Sequence, residues 1–269
     1  MESTERLSIR TEGDGIAIVT LQRPQRANAL DGAMFDALAE AGERLSQDPT
    51  LRVVVLHGVG RGFCAGIDMQ VLADMEGGSI AGTRDLITRT HGLCNRFQHA
   101  AWLWRELPVP VIAALHGFAL GGGLELALGA DIRYAAPETR LSIMEVVWGL
   151  VPDMGGTVRL YDLMRDDLVR ELAFTGRVFP ASEGLHYGLV TRVTDTPLEM
   201  AMTTAHEIAA RSPDAVRALK RLCGLQSSSH AKEGLLQETM EQQQLLGTPN
   251  QMETVRAARE GRTPTFSAG

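Results

Sequence analysis

The chain has 269 residues, 44% hydrophobic and 22% charged, which supports a sizeable folded core and excludes bulk disorder. Its net charge of −7 and the absence of a long basic run give no electrostatic reason to bind nucleic acid or an anionic membrane surface, so a polyanionic ligand would need a local basic site. Cys64, Cys94 and Cys223 are odd in number and widely spaced with no CxxC pair, which argues against a disulfide framework or structural zinc and fits reduced thiols in the cytoplasm.

Residues 1–15 carry Glu2, Glu5, Glu12 and Asp14 and lack the apolar stretch of a signal peptide, so none is expected. Residues 16–21, closed by Pro24, and 52–57, closed by Gly58 and Gly60, read as strands. Between them, Met34, Leu38, Ala41 and Leu45 recur at helical spacing over 31–46, with Asp31 as N-cap; the order β, α, β suggests a parallel crossover. Residues 86–107 predict a helix ended by Pro108 and Pro110, followed by a buried strand over 111–115. Gly121, Gly122 and Gly123 open a helix through Leu128. The apolar stretch 109–128 is interrupted by Pro110, His116, Glu125 and glycines, which argues against a membrane span. Short strands are expected at 132–135 and 140–143, and helices at 168–174, 198–211, 215–225 and 235–246. A boundary near 193–197 divides a core, 1–195, from a helical region, 196–269; Ser227, Ser228 and Ser229 read as a surface turn.

Two glycine-containing turns, 60–68 and 117–125, follow apolar strands and can present backbone N–H groups to a developing anion. Either turn alone is equally ordinary strand-to-helix packing, and no G-x-G-x-x-G continuation supports a dinucleotide site. Glu125 sits just inside the predicted helix in an otherwise apolar run, where burial would make its charge costly and its pKa movable; a simple helix-dipole charge is the alternative. Glu145 interrupts the apolar runs 141–144 and 146–148, with an exposed edge as its alternative. Asp153, between Val151-Pro152 and Gly155-Gly156, also suits a turn or N-cap. His57 and His116 stand at strand ends and read as packing or hydrogen-bonding residues; no second ligand is suitably spaced, so no metal is expected. Cys64 has no basic neighbour and reads as a small buried residue, not a nucleophile. Met69, Met75, Met144 and Met154 fit either an adaptable acyl pocket or ordinary core filling.

The joint pattern is more specific. Phe63-Cys64-Ala65-Gly66-Ile67-Asp68, the segment 117–126, and Glu145 through Gly149-Leu150-Val151-Pro152, Gly155-Gly156-Thr157 and Arg159-Leu160 resemble the crotonase (enoyl-CoA hydratase/isomerase) superfamily. The resemblance starts at Leu21-Gln22-Arg23-Pro24 with Asn28-Ala29-Leu30, ends near 262–266, and so covers nearly the whole chain. It implies an α/β fold, a crotonase-like spiral of ββα turns with a C-terminal helical oligomerisation region, commonly as trimers paired into hexamers. It implies an acyl-CoA thioester as substrate, with coenzyme A carried by the substrate and no further cofactor. Position by position, the N–H groups of Ile67 and Gly122 would hold the thioester oxygen; Ala27, Ala65 and Asp68 fall where the family holds the adenine end of coenzyme A, mostly through backbone atoms.

Glu125 and Glu145 match the two catalytic glutamates of enoyl-CoA hydratases. Attack at Cβ of a conjugated thioester pushes charge onto the carbonyl oxygen, and two aimed N–H donors stabilise that enolate. The expected reaction is therefore hydration of the 2,3 double bond, with Glu125 activating water and Glu145 protonating Cα. Asp153 lies eight positions after Glu145, where the resemblance puts Gly in typical hydratases and Asp in dienoyl-CoA isomerases. Those isomerases have Asp where this chain has Glu125, so the chain mixes two patterns. Isomerisation by Glu145 and Asp153 is the alternative reaction, and a non-catalytic acyl-CoA-binding protein is a third reading that the two retained glutamates disfavour.

Overall fold

The computed structural model describes residues 6–227 and 230–266, so Ser228 and Ser229 of the expected serine turn lie outside the described residues. The larger of two sheets runs β1 (Leu7–Glu12), β2 (Ile16–Leu21), β3 (Val53–Gly58), β4 (Val111–Leu115), then β6 (Ile132–Ala135) and β9 (Arg192–Val193). Only β1 and β2 pair antiparallel; every later neighbour is parallel. The smaller sheet joins β5 (Phe118–Leu120), β7 (Arg140–Ser142) and β8 (Phe179–Pro180).

The chain alternates between the sheets and then enters a helix: β4, β5, α4 (Gly122–Leu128); β6, β7, then α5 (Gly156–Leu163) and α6 (Asp166–Thr175). That repeated ββα step is the spiral that the motifs imply. The turn after β3 joins it, since Cys64 bridges Ala119 of β5 before α2 (Met69–Asp74) begins. Successive turns are thereby stacked, and the two glycine turns become neighbours.

Both faces of the large sheet are covered, which explains why its strands read as unbroken apolar runs. Ala17 and Val19 face the main core with Leu38 of α1 (Gly32–Ser46), whereas Ile16, Ile18, Val53, Val55, Ile112 and Ala114 face the other way. That second face is closed by Ala201, Ala205 and Ala209, spaced one helical turn apart on α8 (Pro197–Ala209). Between β8 and β9 lies α7 (Ala181–Tyr187), and the chain ends in α9 (Pro213–Ser227), α10 (Ala231–Leu245) and α11 (Pro249–Glu260). Among the described residues no helix is long and apolar enough to cross a membrane.

One expected helix is shorter than its pattern. Instead of spanning 86–107, α3 covers only Arg96–Glu106. Asp85 accepts from the Ile87 and Thr88 amides, at 2.9 and 3.1 Å, and Gly92 has φ +58°. Local side-chain bonds of this kind compete with a helix. The start is fixed at Asn95, whose Oδ1 accepts from Phe97 N and Gln98 N while Gln98 Oε1 accepts from Asn95 N, a reciprocal capping box.

Candidate active site

Stacking of the turns brings all eight sequence-predicted positions to one cavity of about 290 Å³: Ile67, Gly122, Glu125, Glu145 and Asp153, with Ala27, Ala65 and Asp68. Met69, Met75, Met144 and Met154 also line it, and Met75 and Met154 belong to the buried core as well, so both readings of the methionines hold in part. Among the described residues no cluster of three or more His, Cys, Asp or Glu could hold a metal ion. His57 shares a 2.9 Å bond with Thr20 Oγ1, and His116 Nε2 donates to Gly60 O at 3.0 Å. The Cys64 thiol donates to Asn28 O, and burial pushes its pKa up to about 12, so it is inert.

A backbone zipper sets the first glycine turn: Ala65 N donates to Ala27 O, Leu30 N to Gly66 O and Asp68 N to Leu30 O, at 2.8 to 3.0 Å. Asn28 locks it from below. Its Nδ2 reaches the Val59, Gly62 and Phe63 carbonyls at 2.8 to 3.0 Å, and its φ of +55° is one that Asn tolerates. Leu120 N donates to Cys64 O, tying the second turn to the first, and a side chain on Gly66 would collide with Leu120 O at 2.6 Å. The Ile67 and Gly122 amides donate to no acceptor among the described residues. Gly122 is the first residue of α4, where an N–H has no intrahelical partner.

The adenine-end positions differ in what they still offer. Asp68 caps α2 through Gln70 N and pairs with Arg23 Nη1, while its own N–H and C=O are already bonded. Ala27 O is used by Ala65. The Ala65 carbonyl has no donor among the described residues and is the free backbone acceptor of the three. Arg26, which sequence reasoning did not single out, is exposed at the cavity and has no ion pair among the described residues. On a chain of net charge −7 it is the local basic site.

Glu125 and Glu145 are buried, at 4% and 8% exposure. Glu145 projects from a short 3-10 turn, Glu145–Trp148, and neither of its oxygens meets a donor among the described residues. Burial raises its pKa to about 7. Burial also raises Glu125 well above the usual range, and Glu145, Glu238 and Asp153 add repulsion. Opposing this, Glu125 Oε1 accepts from Met154 N at 3.1 Å and Gly156 N at 2.9 Å, beside the start of α5. Those bonds favour the ionised form of Glu125 and work against burial and repulsion; the closely coupled pair resists double ionisation, and Glu125 is the carboxylate with amide support for a charge. Asp153 is raised by burial, then by Glu238 and Glu145, and its Oδ2 is unpartnered among the described residues.

Two further residues enter from α10: Gln242, which lines the cavity, and Glu238 behind it. Gln242 Oε1 accepts from Val151 N at 3.1 Å. Neither residue stood out in the sequence, because a helix that buries polar groups at Glu238, Thr239 and Gln242 has little apolar periodicity.

With this geometry in place, comparison with known proteins gives a family model, enoyl-CoA hydratase/isomerase, that matches residues 11–269. The chain belongs to the enoyl-CoA hydratase/isomerase family. This family member is 34% identical to the mitochondrial Delta(3,5)-Delta(2,4)-dienoyl-CoA isomerase of Homo sapiens, over 98% of this chain and 83% of that one. To the carnitinyl-CoA dehydratase of Proteus mirabilis (strain HI4320) it is also 34% identical, over 86% and 85% of the two chains. Among solved structures, an enoyl-CoA hydratase/isomerase from Pseudoalteromonas atlantica T6c superposes with a TM-score of 0.84 at 26% identity, covering 98% of this chain and 100% of that one. The crotonase fold and the enzyme class follow; an isomerase and a dehydratase at equal identity leave the reaction to the site.

Proposed function

We propose that this enzyme is an enoyl-CoA hydratase. The observation that carries the reading is the pairing of two buried glutamates, one held by amides and one without a donor among the described residues, on a cavity also lined by Ile67 and Gly122, whose amides have no acceptor there. In the proposed reaction those amides hold the thioester oxygen. Ionised Glu125 takes a proton from water as the oxygen bonds Cβ; protonated Glu145 gives its proton to Cα of the enolate. One proton is taken and one given, so the pair is restored when a proton passes back from Glu125 to Glu145. Loss of one such amide donor typically costs about 3 to 4 kcal/mol of barrier, so the backbone supplies a large share of catalysis.

Coenzyme A would lie along Ala27, Ala65 and Asp68, its adenine amino group on the free Ala65 carbonyl and a phosphate on Arg26. Arg26→Ala is expected to raise KM roughly tenfold at low ionic strength with kcat unchanged, the difference shrinking in high salt as exposed charges are screened. An equal KM in both salts would remove Arg26 from the binding site. The exposed Val146, Val147, Phe174 and Val178 are apolar surface that supports self-association, taken in this proposal as a homotrimer or homohexamer.

A specific observation favours a second reaction, the shift of a double bond. Asp153 Oδ2 is buried without a donor among the described residues on the same cavity as Glu145, as a base and a distant acid require. Purified protein offered 2-enoyl-CoA and 3,5-dienoyl-CoA, with conjugation followed by absorbance, separates the two. Hydration of the first is expected; isomerisation of the second without it would replace the hydratase reading. Asp153→Asn is expected to leave hydration within about fivefold and to reduce any isomerisation by about 10²-fold or more.

A further inference from the structure

Glu238 is a buried carboxylate for which the proposed reaction has no use. It is 4% exposed on α10, and no Lys or Arg bridges it among the described residues. Both oxygens are nonetheless occupied. Oε2 accepts from Gly155 N at 2.8 Å and Oε1 from Thr157 N at 2.9 Å and from Thr157 Oγ1. Gln98 Nε2 adds a contact at 3.3 Å, and Gln98 Oε1 in turn accepts from Arg89 Nη1.

The four consecutive amides of 154–157 are therefore shared in alternation. Met154 and Gly156 point to Glu125; Gly155 and Thr157 point to Glu238. A strand of backbone held between two carboxylates cannot rotate toward one without leaving the other. We infer that Glu238 is a positioning residue: by clamping Gly155 and Thr157 it aims the Met154 and Gly156 amides at Glu125 and so sets the orientation and proton affinity of that carboxylate. This rests on the acid–base reading of Glu125. The charged and titratable groups around the clamp are Glu125, Glu145 and Asp153 on the site side, with Arg89 and Cys94 behind it.

The test compares full-length wild type with Glu238→Gln, which retains one acceptor but loses the second and the charge. Hydration of 2-enoyl-CoA is followed across pH, and binding of a saturated acyl-CoA is measured by calorimetry. We expect kcat to fall by about 10- to 100-fold while KM and saturated acyl-CoA affinity stay within about twofold, as for a group acting only through the catalytic carboxylate. The acid limb of the profile, set by ionisation of Glu125, should leave its wild-type position, because the amide bonds and the neighbouring charge that fix its proton affinity have both changed. An unchanged kcat and pH profile in a folded variant overturns the inference, as does a loss of kcat matched by a loss of affinity. If the Gln variant does not fold, Thr157→Val, which removes one donor and keeps the charge, takes its place; a kcat reduced about fivefold supports the clamp and an unchanged kcat overturns it. If wild type hydrates nothing, the hydratase reading fails on its own. Infrared titration of the buried carboxyls then decides: a titration displaced to higher pH in Thr157→Val, where the Glu238 charge is kept and the amides are loosened, supports the clamp, and an unmoved one overturns it.

Discussion

Glu145→Gln is expected to reduce hydration by roughly 10³-fold or more, since the amide cannot give Cα a proton, and at the same time to make the protein more stable at alkaline pH. The stability effect follows from linkage. Burial raises Glu145 from the ordinary 4.5 to about 7, so between those values the native state binds a proton that the unfolded state has released. Stability from this group is therefore fully present below the unfolded value and is lost as pH rises through about 7. Removing the ionisable group should gain about 3 kcal/mol at pH 8 and almost nothing at pH 4, where both states are mostly protonated. Urea midpoints at the two pH values measure this; an equal shift at both would mean that packing, not ionisation, controls the effect. Wild-type turnover should decline on the alkaline side with an apparent pKa near about 7, belonging to the pair as a whole.

Gly156→Ala is expected to spare the fold and damage the chemistry. An added Cβ would lie 2.2 Å from Glu125 Oε1 and within 2.9 Å of its Cδ and Cγ, so the carboxylate must move. The backbone at this first helical position does not have the left-handed φ that only glycine accepts readily, and alanine improves helix propensity. A misplacement near 1 Å costs on the order of 10²-fold in rate, which is the expected fall in kcat at nearly constant melting temperature. Gly155→Ala makes the informative contrast: its φ of +82° and the Trp102 ring 3.0 Å from the new Cβ predict a destabilised protein. Equal kcat in Gly156→Ala and wild type would remove Glu125 from the proton chemistry.

Much of the fold was legible because the patterns were long or buried. The runs 16–21, 52–57 and 111–115 read as strands by their apolar and β-branched character, the second observed one residue later at Val53–Gly58, and α1 is announced by its periodicity and the Asp31 cap, which accepts from Met34 N. The ββα spiral came from the family resemblance that the ordered motifs carry. The helix over 86–107 was overextended because apolar spacing says nothing of the Asp85 and Asn95 side chains that bond the backbone first. Placement of the predicted site residues could be read because glycine turns and misplaced carboxylates are visible in one dimension. Glu238 and Gln242 could not be: their importance arises only when α10 folds back across more than eighty residues onto the 151–157 segment. Arg26 is one exposed cation among many until the cavity gives it a place.

The amides of Ile67 and Gly122, unpaired among the described residues, divide the site into two parts with different histories available to them. Every amino acid but proline supplies the same N–H, so a change of side chain at Ile67 leaves that donor in place provided that the stacked turns stay closed, while at Gly122 a Cβ would press on Met154 and Leu30 at 3.0 and 3.1 Å. A carboxylate has no such insurance; one substitution removes it. Divergence from such a scaffold should therefore keep the capacity to stabilise an enolate while exchanging what is done with it. A chain that carries Glu125, Glu145 and Asp153 together stands where two of those exchanges meet.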